Sequence, residues 1–297
     1  MKKLFAISLA SLLLLCALAG CTPAETQDNP GNTANSSFSG PITVVTREDG
    51  SGTRGAFIEL FGIEAKNDDG TKKDLTTKEA ITADKTDIMM TNIANNPSAI
   101  GYISLGSLND SIKALEIDGT TASVENVKNG SYKIQRPFNI AVKGEAEGLT
   151  KDFIDFILSA QGQEVVEARQ YIAIAENAPA FSSNRPSGKI VVAGSSSVTP
   201  LMEKLREAYL IINPNAAIEV QLGDSSSGMT MAMNGSCDIG MASRALKDSE
   251  LAELTEIAIA LDGIAVIVNN SNPLGGLSSE QVKDIFTGAV LSWSDLV

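Results

Sequence analysis

Apolar residues along this chain fall into three regimes. Lys2 and Lys3 lead into a mainly apolar run from Leu4 to Ala19, residues 22–40 are dominated by Thr, Asn, Pro, Ser and Gly, and from Pro41 onward short apolar runs alternate with amphipathic stretches. The first run carries positive charge at its head and is too short to span a bilayer, which predicts a secretory leader over residues 1–20. The second predicts a disordered tether over 21–40, because so few apolar side chains cannot offset the entropy of ordering.

The third regime carries the fold. Period-two or continuous apolar runs predict strands at 42–45, 99–105, 111–115, 138–142, 189–193 and 218–222, and two more at 257–261 and 264–268, broken at Asp262-Gly263. Helical spacing marks 55–61, 150–158, 161–168, 198–210, 228–233 and 278–286, the last opened by Ser278 as an N-cap. Residues 65–78 are polar and read as a surface excursion, and 177–188 form a Pro/Ser/Asn-rich connection without periodicity. Strands alternating with helices predict an α/β fold with mainly parallel sheets, in which ligands bind beyond the carboxyl ends of the strands.

Composition narrows the chemistry. The 297 residues contain no histidine and carry a formal net charge of −13. Loss of Lys2 and Lys3 with the leader would leave the rest more acidic still. Such a chain, without a Lys/Arg-rich run, is a poor partner for nucleic acid. The absence of histidine removes His-based triads and the usual zinc and iron ligand sets, and no Asp/Glu clustering suggests a metal, so neither metal nor cofactor is expected. Of the three cysteines, Cys16 lies in the leader and Cys237 has no intramolecular partner, which suits a small core hydrophobe. Leu18-Ala19-Gly20-Cys21 resembles a bacterial lipobox, which implies cleavage before Cys21 and a lipid anchor on it.

Three Ser/Gly loops stand where a strand gives way to a helix: Thr46 to Arg54, Gly194 to Pro200, and Asp224 to Gly228. A helix N-terminus presents unpaired N–H groups and the positive end of its dipole, and neighbouring hydroxyls and glycines add donors and close approach. Three such termini converging on one point would enclose a small tetrahedral oxyanion. The placement at the strand ends agrees with the fold.

At these residues the chain resembles the bacterial phosphate-binding lipoproteins, the extracytoplasmic receptors of high-affinity phosphate ABC importers. Lys189 to Leu205, Cys237 to Arg244, Ala260 to Val266 and Gln281 to Gly288 with Trp293 are similar to that family's first half. Arg47 to Thr53, Ala99 to Leu105 and Phe153 to Leu158 are similar to its second half, so the two halves stand in exchanged order. The resemblance implies a two-lobed, periplasmic-binding-protein-like (type II) α/β fold with a ligand cleft between the lobes and a circularly permuted chain order. A slice of a tandem duplication or a truncated reading frame is the alternative origin of that order. The family's crossovers, carried over, place one split lobe at 41–106 plus 263–297 and one continuous lobe at 107–262, the latter containing the 177–188 linker that joins the family's usual ends.

The same resemblance implies the site. Arg47 is the main cationic ligand, with Asp49 orienting its guanidinium or else serving only the turn. Ser51, Gly52 and Thr53 supply hydroxyls and N–H groups from the same lobe, and Ser196, Ser197 and Ser225 face them. Ser195 and Ser226 are possible N-caps, with Ser226 also a supporting residue. The chain departs from the family at Ser243, where one branch has a carboxylate that accepts the proton of phosphate and so rejects sulfate; Asp262 is the expected substitute, with Asp224 weaker. Arg244 is a second ligand or the partner of a nearby acid. The expected partners are inorganic phosphate, a membrane permease, and the membrane through Cys21, for a monomer anchored outside the cytoplasm. A receptor for sulfate or molybdate, or a non-transporting sensor or surface protein, is the runner-up; an enzyme is disfavoured because without histidine only a lysine or carboxylate could activate a serine, and no Ser-x-x-Lys motif falls in the three loops.

Overall fold

The structure is a computed structural model that describes residues 38–67, 72–175 and 177–296. The leader, Cys21 and nearly all of the tether lie outside the described residues.

The chain enters through β1 (Thr43–Arg47) and α1 (Gly52–Leu60), followed by the antiparallel pair β2 (Glu64–Lys66) and β3 (Lys72–Asp74). Then come β4 (Ile81–Ala83), α2 (Thr86–Asn95), β5 (Ala99–Ser104), β6 (Lys113–Ala114), β7 (Glu116–Ile117) and α3 (Val124–Lys128). Next in order are β8 (Gln135–Lys143), α4 (Gly148–Leu158), α5 (Ala160–Ala168), β9 (Gly188–Ser195), α6 (Thr199–Ile212), β10 (Ala216–Gly223), α7 (Ser225–Asn234), β11 (Ile239–Ala242) and α8 (Asp248–Leu251). The chain closes with β12 (Leu254–Val268), β13 (Gly276–Leu277) and α9 (Ser279–Thr287).

Local signals set the helix ends. Asp224 caps α7 by accepting from the N–H of Ser227, whose hydroxyl accepts in turn from the Asp224 N–H, and Gly235 ends the helix at φ 76°. Ser278 and Gln281 form the same reciprocal cap on α9, which stops at Gly288 with φ 80°. Pro200 lies in the first turn of α6, where its missing N–H costs nothing.

One sheet runs through the molecule in the order β10-β9-β11-β8-β12-β5-β1-β4, with β6 also on β12. β1 is parallel to β4 and β5, and β9 is parallel to β10 and β11, whereas β8 and β12 run antiparallel to their neighbours. The sheet is therefore mixed at its centre. β12 is one continuous strand rather than the two expected. Asp262 and Gly263 stay paired with Arg136 and Gln135 of β8, and beyond them Ile264 to Val268 pair with β5. Gly263 does not turn the chain: a Cβ there would stand 3.0 Å from Val127 and 3.1 Å from Leu105, so its lack of a side chain lets those two close over the strand.

Two large apolar clusters occupy the two ends of the sheet. One gathers Phe57, Phe61, Tyr102 and Phe286, with the Phe57 and Tyr102 rings stacked at 3.9 Å, together with Val266 and Trp293. The other gathers Phe138, Phe153, Phe156, Tyr209 and Met241. Ile112, Leu115, Ile117, Val127, Tyr132 and Ile134 pack in the first cluster. The change of cluster thus falls at Ile134 to Arg136, where β8 begins, and not near 105–111 as expected, because residues of 112–134 bond to β12: Leu115 N–H donates to the Val266 carbonyl, the Tyr132 hydroxyl to the Ile264 carbonyl and Ile264 N–H to the Ile134 carbonyl. Residues 177–188 contain no helix or strand before β9, yet they are fastened. Phe181 stacks edge-on against Phe156, and the Ser183 hydroxyl donates to Asp152 at 2.6 Å. The two ends of the described chain also meet: Ile42 N–H donates to the Leu291 carbonyl at 2.8 Å and Trp293 N–H to Gly40 at 3.0 Å.

Candidate functional site

Arg47 ends β1 and is 1% exposed, an unusual position for a guanidinium that requires full pairing. Its Nε and Nη2 donate to the two carboxylate oxygens of Glu48, each at 2.8 Å. Nε is shared with the Ala83 carbonyl (3.2 Å), Nη1 donates to the Thr86 hydroxyl (3.3 Å) and Nη2 also donates to the Ser196 hydroxyl (3.0 Å). Tyr102 holds the backbone behind it, accepting from the Arg47 N–H at 3.1 Å and pairing with the Thr46 hydroxyl at 2.8 Å. Burial pushes the Tyr102 phenol up to about 12, so it stays neutral.

A cluster of buried hydroxyls extends from this guanidinium. Thr86 lies 3.3 Å from Ser196 and 3.4 Å from Ser197, and Ser197 pairs with Thr53 at 2.8 Å. Ser243 stands 3.4 Å from Thr53, 3.0 Å from Ser195 and 3.5 Å from Ser225, and its N–H donates to the Ser225 hydroxyl at 3.1 Å. Thr53, Thr86 and Ser225 sit in the first turns of α1, α2 and α7, while Ser195 to Ser197 precede α6. The N-terminal segments of four helices therefore bring hydroxyls to one cluster, one more helix than the three loops suggested.

The far side of the cluster is closed by a second guanidinium. Arg136, 3% exposed at the start of β8, donates from Nη1 to the Thr53 hydroxyl (2.7 Å) and the Ser243 carbonyl (2.9 Å), and from Nη2 to Asp262 (3.0 Å). Asp262 is 1% exposed and also receives a long hydrogen bond from Gly106 N–H at 3.4 Å. Burial pushes its carboxyl above the usual range, and the Arg136 guanidinium pulls against that; burial likewise lowers Arg136.

The first and third loops touch directly. A Cβ on Gly52 would lie 2.4 Å from Ser225 Oγ and 2.8 Å from Ser243 Oγ, and one on Gly50 would lie 2.2 Å from Asp224 Oδ1. Ser226 N–H donates to the Gly50 carbonyl at 3.2 Å. Glycine at these two positions is what allows the loops to approach.

Of the expected site residues, Arg47, Gly52, Thr53, Ser196, Ser197, Ser225 and Ser243 are brought together. Ser51 caps α1 at the rim, its hydroxyl accepting from Arg54 N–H. Asp49 does not orient Arg47: its carboxylate is 97% exposed and pairs with Arg54 at 2.8 Å, and Glu48 does the work expected of it. Arg244 is paired with an acid, both of its Nη groups meeting Glu250 at 2.7 and 2.8 Å, with a longer contact to the Ser226 hydroxyl. Asp262 reaches the hydroxyl cluster through Arg136, which donates both to it and to Thr53, and Asp224 is taken up as the α7 cap. Glu48, Thr86 and Arg136 were not anticipated. The signal for Arg136 lay in Tyr132-Lys-Ile-Gln-Arg136, whose apolar–polar alternation runs into the apolar strand after Pro137, but nothing local ties its guanidinium to the Ser/Gly loops.

A profile of the PBP superfamily domain matches residues 25–161 and 179–297. Phosphate-binding protein PstS 2 of Streptococcus agalactiae is 52% identical over 297 residues, covering 99% of this chain and 98% of the relative. The chain belongs to the phosphate-binding protein family of the PBP superfamily. PstS 2 of Streptococcus pneumoniae is 46% identical over 90% of this chain and 92% of its own length. The crystal structure of a phosphate-binding protein of a phosphate ABC transporter from S. pneumoniae TIGR4 superposes with a TM-score of 0.70 at 46% identity, covering 87% of this chain and all of that one. PstS of Bacillus subtilis matches over 139 residues only, at 36% identity, covering 46% of this chain and 42% of the relative.

Proposed function

We propose that this protein binds inorganic phosphate between Arg47 and Arg136 and hands it to an ABC importer. The observation that carries this is the meeting of four helix N-termini and two buried guanidiniums around one cluster of hydroxyls, a donor-rich surface suited to a small tetrahedral oxyanion. Thr53, Ser196, Ser197 and Ser225 offer hydroxyls, Gly52 and its neighbours offer N–H groups, and Ser51 fixes the start of α1. Relatives named for phosphate binding and a neighbour titled as part of a phosphate ABC transporter support the same ligand and destination.

The ligand lies between two lobes divided at 134–136 and 262–264, where the sheet passes from one apolar cluster to the other. The reading requires no covalent chemistry, and among the described residues the hydroxyls of Ser195, Ser196, Ser197, Ser225 and Ser243 meet no lysine or carboxylate that could serve as a base, which supports a receptor and not an enzyme. It works outside the cytoplasm as a monomer, held to the membrane by lipid on Cys21 and docking on a permease. Mass spectrometry of membrane-extracted protein should find a diacylated Cys21, and Cys21→Ser should release the chain from membranes.

The chain order is permuted within the wider family. The apposition of Ile42 with Leu291 supports this, as does the B. subtilis match, which stops at half of either chain as it would if the halves were exchanged. The test of the ligand is isothermal titration calorimetry of the anion-stripped protein with phosphate and sulfate in parallel. One-to-one phosphate binding with sulfate at least tenfold weaker is expected; a folded protein silent to both anions would sink the proposal.

A further inference from the structure

The second guanidinium gives the site a charge arrangement that sequence alone did not suggest. Glu48 lies behind Arg47, Asp262 lies behind Arg136, and the hydroxyls of Thr53, Thr86, Ser196 and Ser197 lie between the two arginines. Along that line the charges run negative, positive, polar, positive, negative. We infer that Arg136 is a second ligand-facing guanidinium, and that Asp262, acting through it as a positioning residue, limits the negative charge the site accepts and so favours phosphate over sulfate. The inference rests on the phosphate-binding reading.

Three observations carry it. Arg136 Nη1 reaches two neighbouring members of the cluster, the Thr53 hydroxyl on α1 and the Ser243 carbonyl after β11, so it borders the place where those segments meet. Its buried Nε has no partner among the described residues, so protein groups do not saturate the guanidinium. Both arginines are matched one-to-one by carboxylates, which leaves the four charges summing to zero. An anion entering such a site brings charge that no free cation cancels, and in a water-poor interior the penalty rises steeply with that charge. Near neutral pH phosphate exists partly as a monoanion and can donate its own proton to an acceptor. Sulfate is a dianion with nothing to donate. The two carboxylates are not equal in this role: the Asp262 side chain is 1% exposed and that of Glu48 19%, so solvent screens Glu48 more.

The experiment compares the unmodified full chain with Asp262→Asn, Glu48→Gln and the double variant Arg136→Gln/Asp262→Asn, titrating inorganic phosphate and sulfate by calorimetry at one neutral pH. Asp262→Asn frees one positive charge, and the ratio of phosphate to sulfate affinity is expected to fall at least tenfold, mainly through tighter sulfate binding. Glu48→Gln should lower the ratio less. The double variant restores neutrality, so its ratio should return near the original while both affinities drop tenfold or more with the lost donors. An Asp262→Asn protein whose ratio stays within twofold of the original would overturn the inference. So would a double variant that binds phosphate as tightly as the unmodified chain, and this arm decides the matter if Asp262→Asn alone does not fold. An unmodified chain that binds neither anion would instead refute the phosphate reading itself, and that result is read before any variant is compared.

Discussion

Replacing Gly52 by alanine tests whether the close approach of the loops is part of binding. Gly52 opens α1, and a Cβ on it would come within 2.4 Å of Ser225 Oγ and 2.8 Å of Ser243 Oγ, with Arg244 Cγ at 3.1 Å. All three atoms belong to the segment that follows β8, across from α1. Ser225 cannot simply rotate away, because its hydroxyl accepts the buried Ser243 N–H at 3.1 Å, and stranding that N–H costs about 1–3 kcal/mol. Within α1 itself alanine is the better helix former, by up to about 1 kcal/mol. The methyl group therefore burdens the meeting of the loops and not the helix. Since about 1.4 kcal/mol is a factor of ten, phosphate affinity should weaken roughly tenfold to a hundredfold. Calorimetry measures that loss, and a thermal melt without phosphate should show a Tm lowered by no more than a few degrees. A variant that folds and binds within twofold of the parent would refute the claim that these loops close on one another around the ligand.

Four further outcomes are expected. Arg47→Lys keeps the charge but loses the fork that engages Glu48, Thr86 and Ser196 together, and should weaken phosphate binding by at least about tenfold, given roughly 1.5–3 kcal/mol per charge-assisted hydrogen bond. Arg244→Ala should lower the melting temperature, by about 2–3 kcal/mol of stability for stranding the buried Glu250, while phosphate affinity measured by titration changes less than threefold. Burial works against the Glu250 carboxylate, but hydrogen bonds from Arg244 and the Lys247 N–H outweigh it and hold its pKa below the ordinary value. Its contribution is present above the unfolded-state pKa and is lost as pH falls through the lower folded-state value, so Glu250→Gln should flatten the acid limb of a denaturation-against-pH curve. A chain rearranged to begin at Gly188, with its present ends joined across the Ile42–Leu291 contact, should fold and bind phosphate; a failure to bind in a folded protein would count against the permuted order.

Most of this architecture could be read from residue patterning, because strand and helix periods are local. The apolar strands at 99–105 and 189–193 and the cap at Ser278 left little freedom. Pairing was less visible. Asp262-Gly263 looks like a turn in a one-dimensional string, and only the partners Arg136 and Gln135, over a hundred residues earlier, hold it extended. The same limit applied to the site. Loops rich in Ser and Gly announce themselves, whereas Arg136 acquires its role from the distant residues it touches, Thr53, Ser243 and Asp262. Asp49 and Glu48 are neighbours of equal charge, and nothing but side-chain direction decided which of them grips Arg47.

The placement of β12 has a consequence for how the molecule is made. It is the strand shared by both apolar clusters, pairing with β8 through its first part and with β5 and β6 through its last, yet it comes after all the other strands but β13. A chain emerging from its N-terminus therefore has β1, β4 and β5 at one end of the sheet and β8 to β11 at the other, with no strand to join them until residue 268 has appeared. Non-local pairings repay their loop-closure entropy only when they form. Completion of the sheet is thereby deferred until residue 268 has been made, and until then β5 and β8 each wait with an edge that only a later part of the chain will cover.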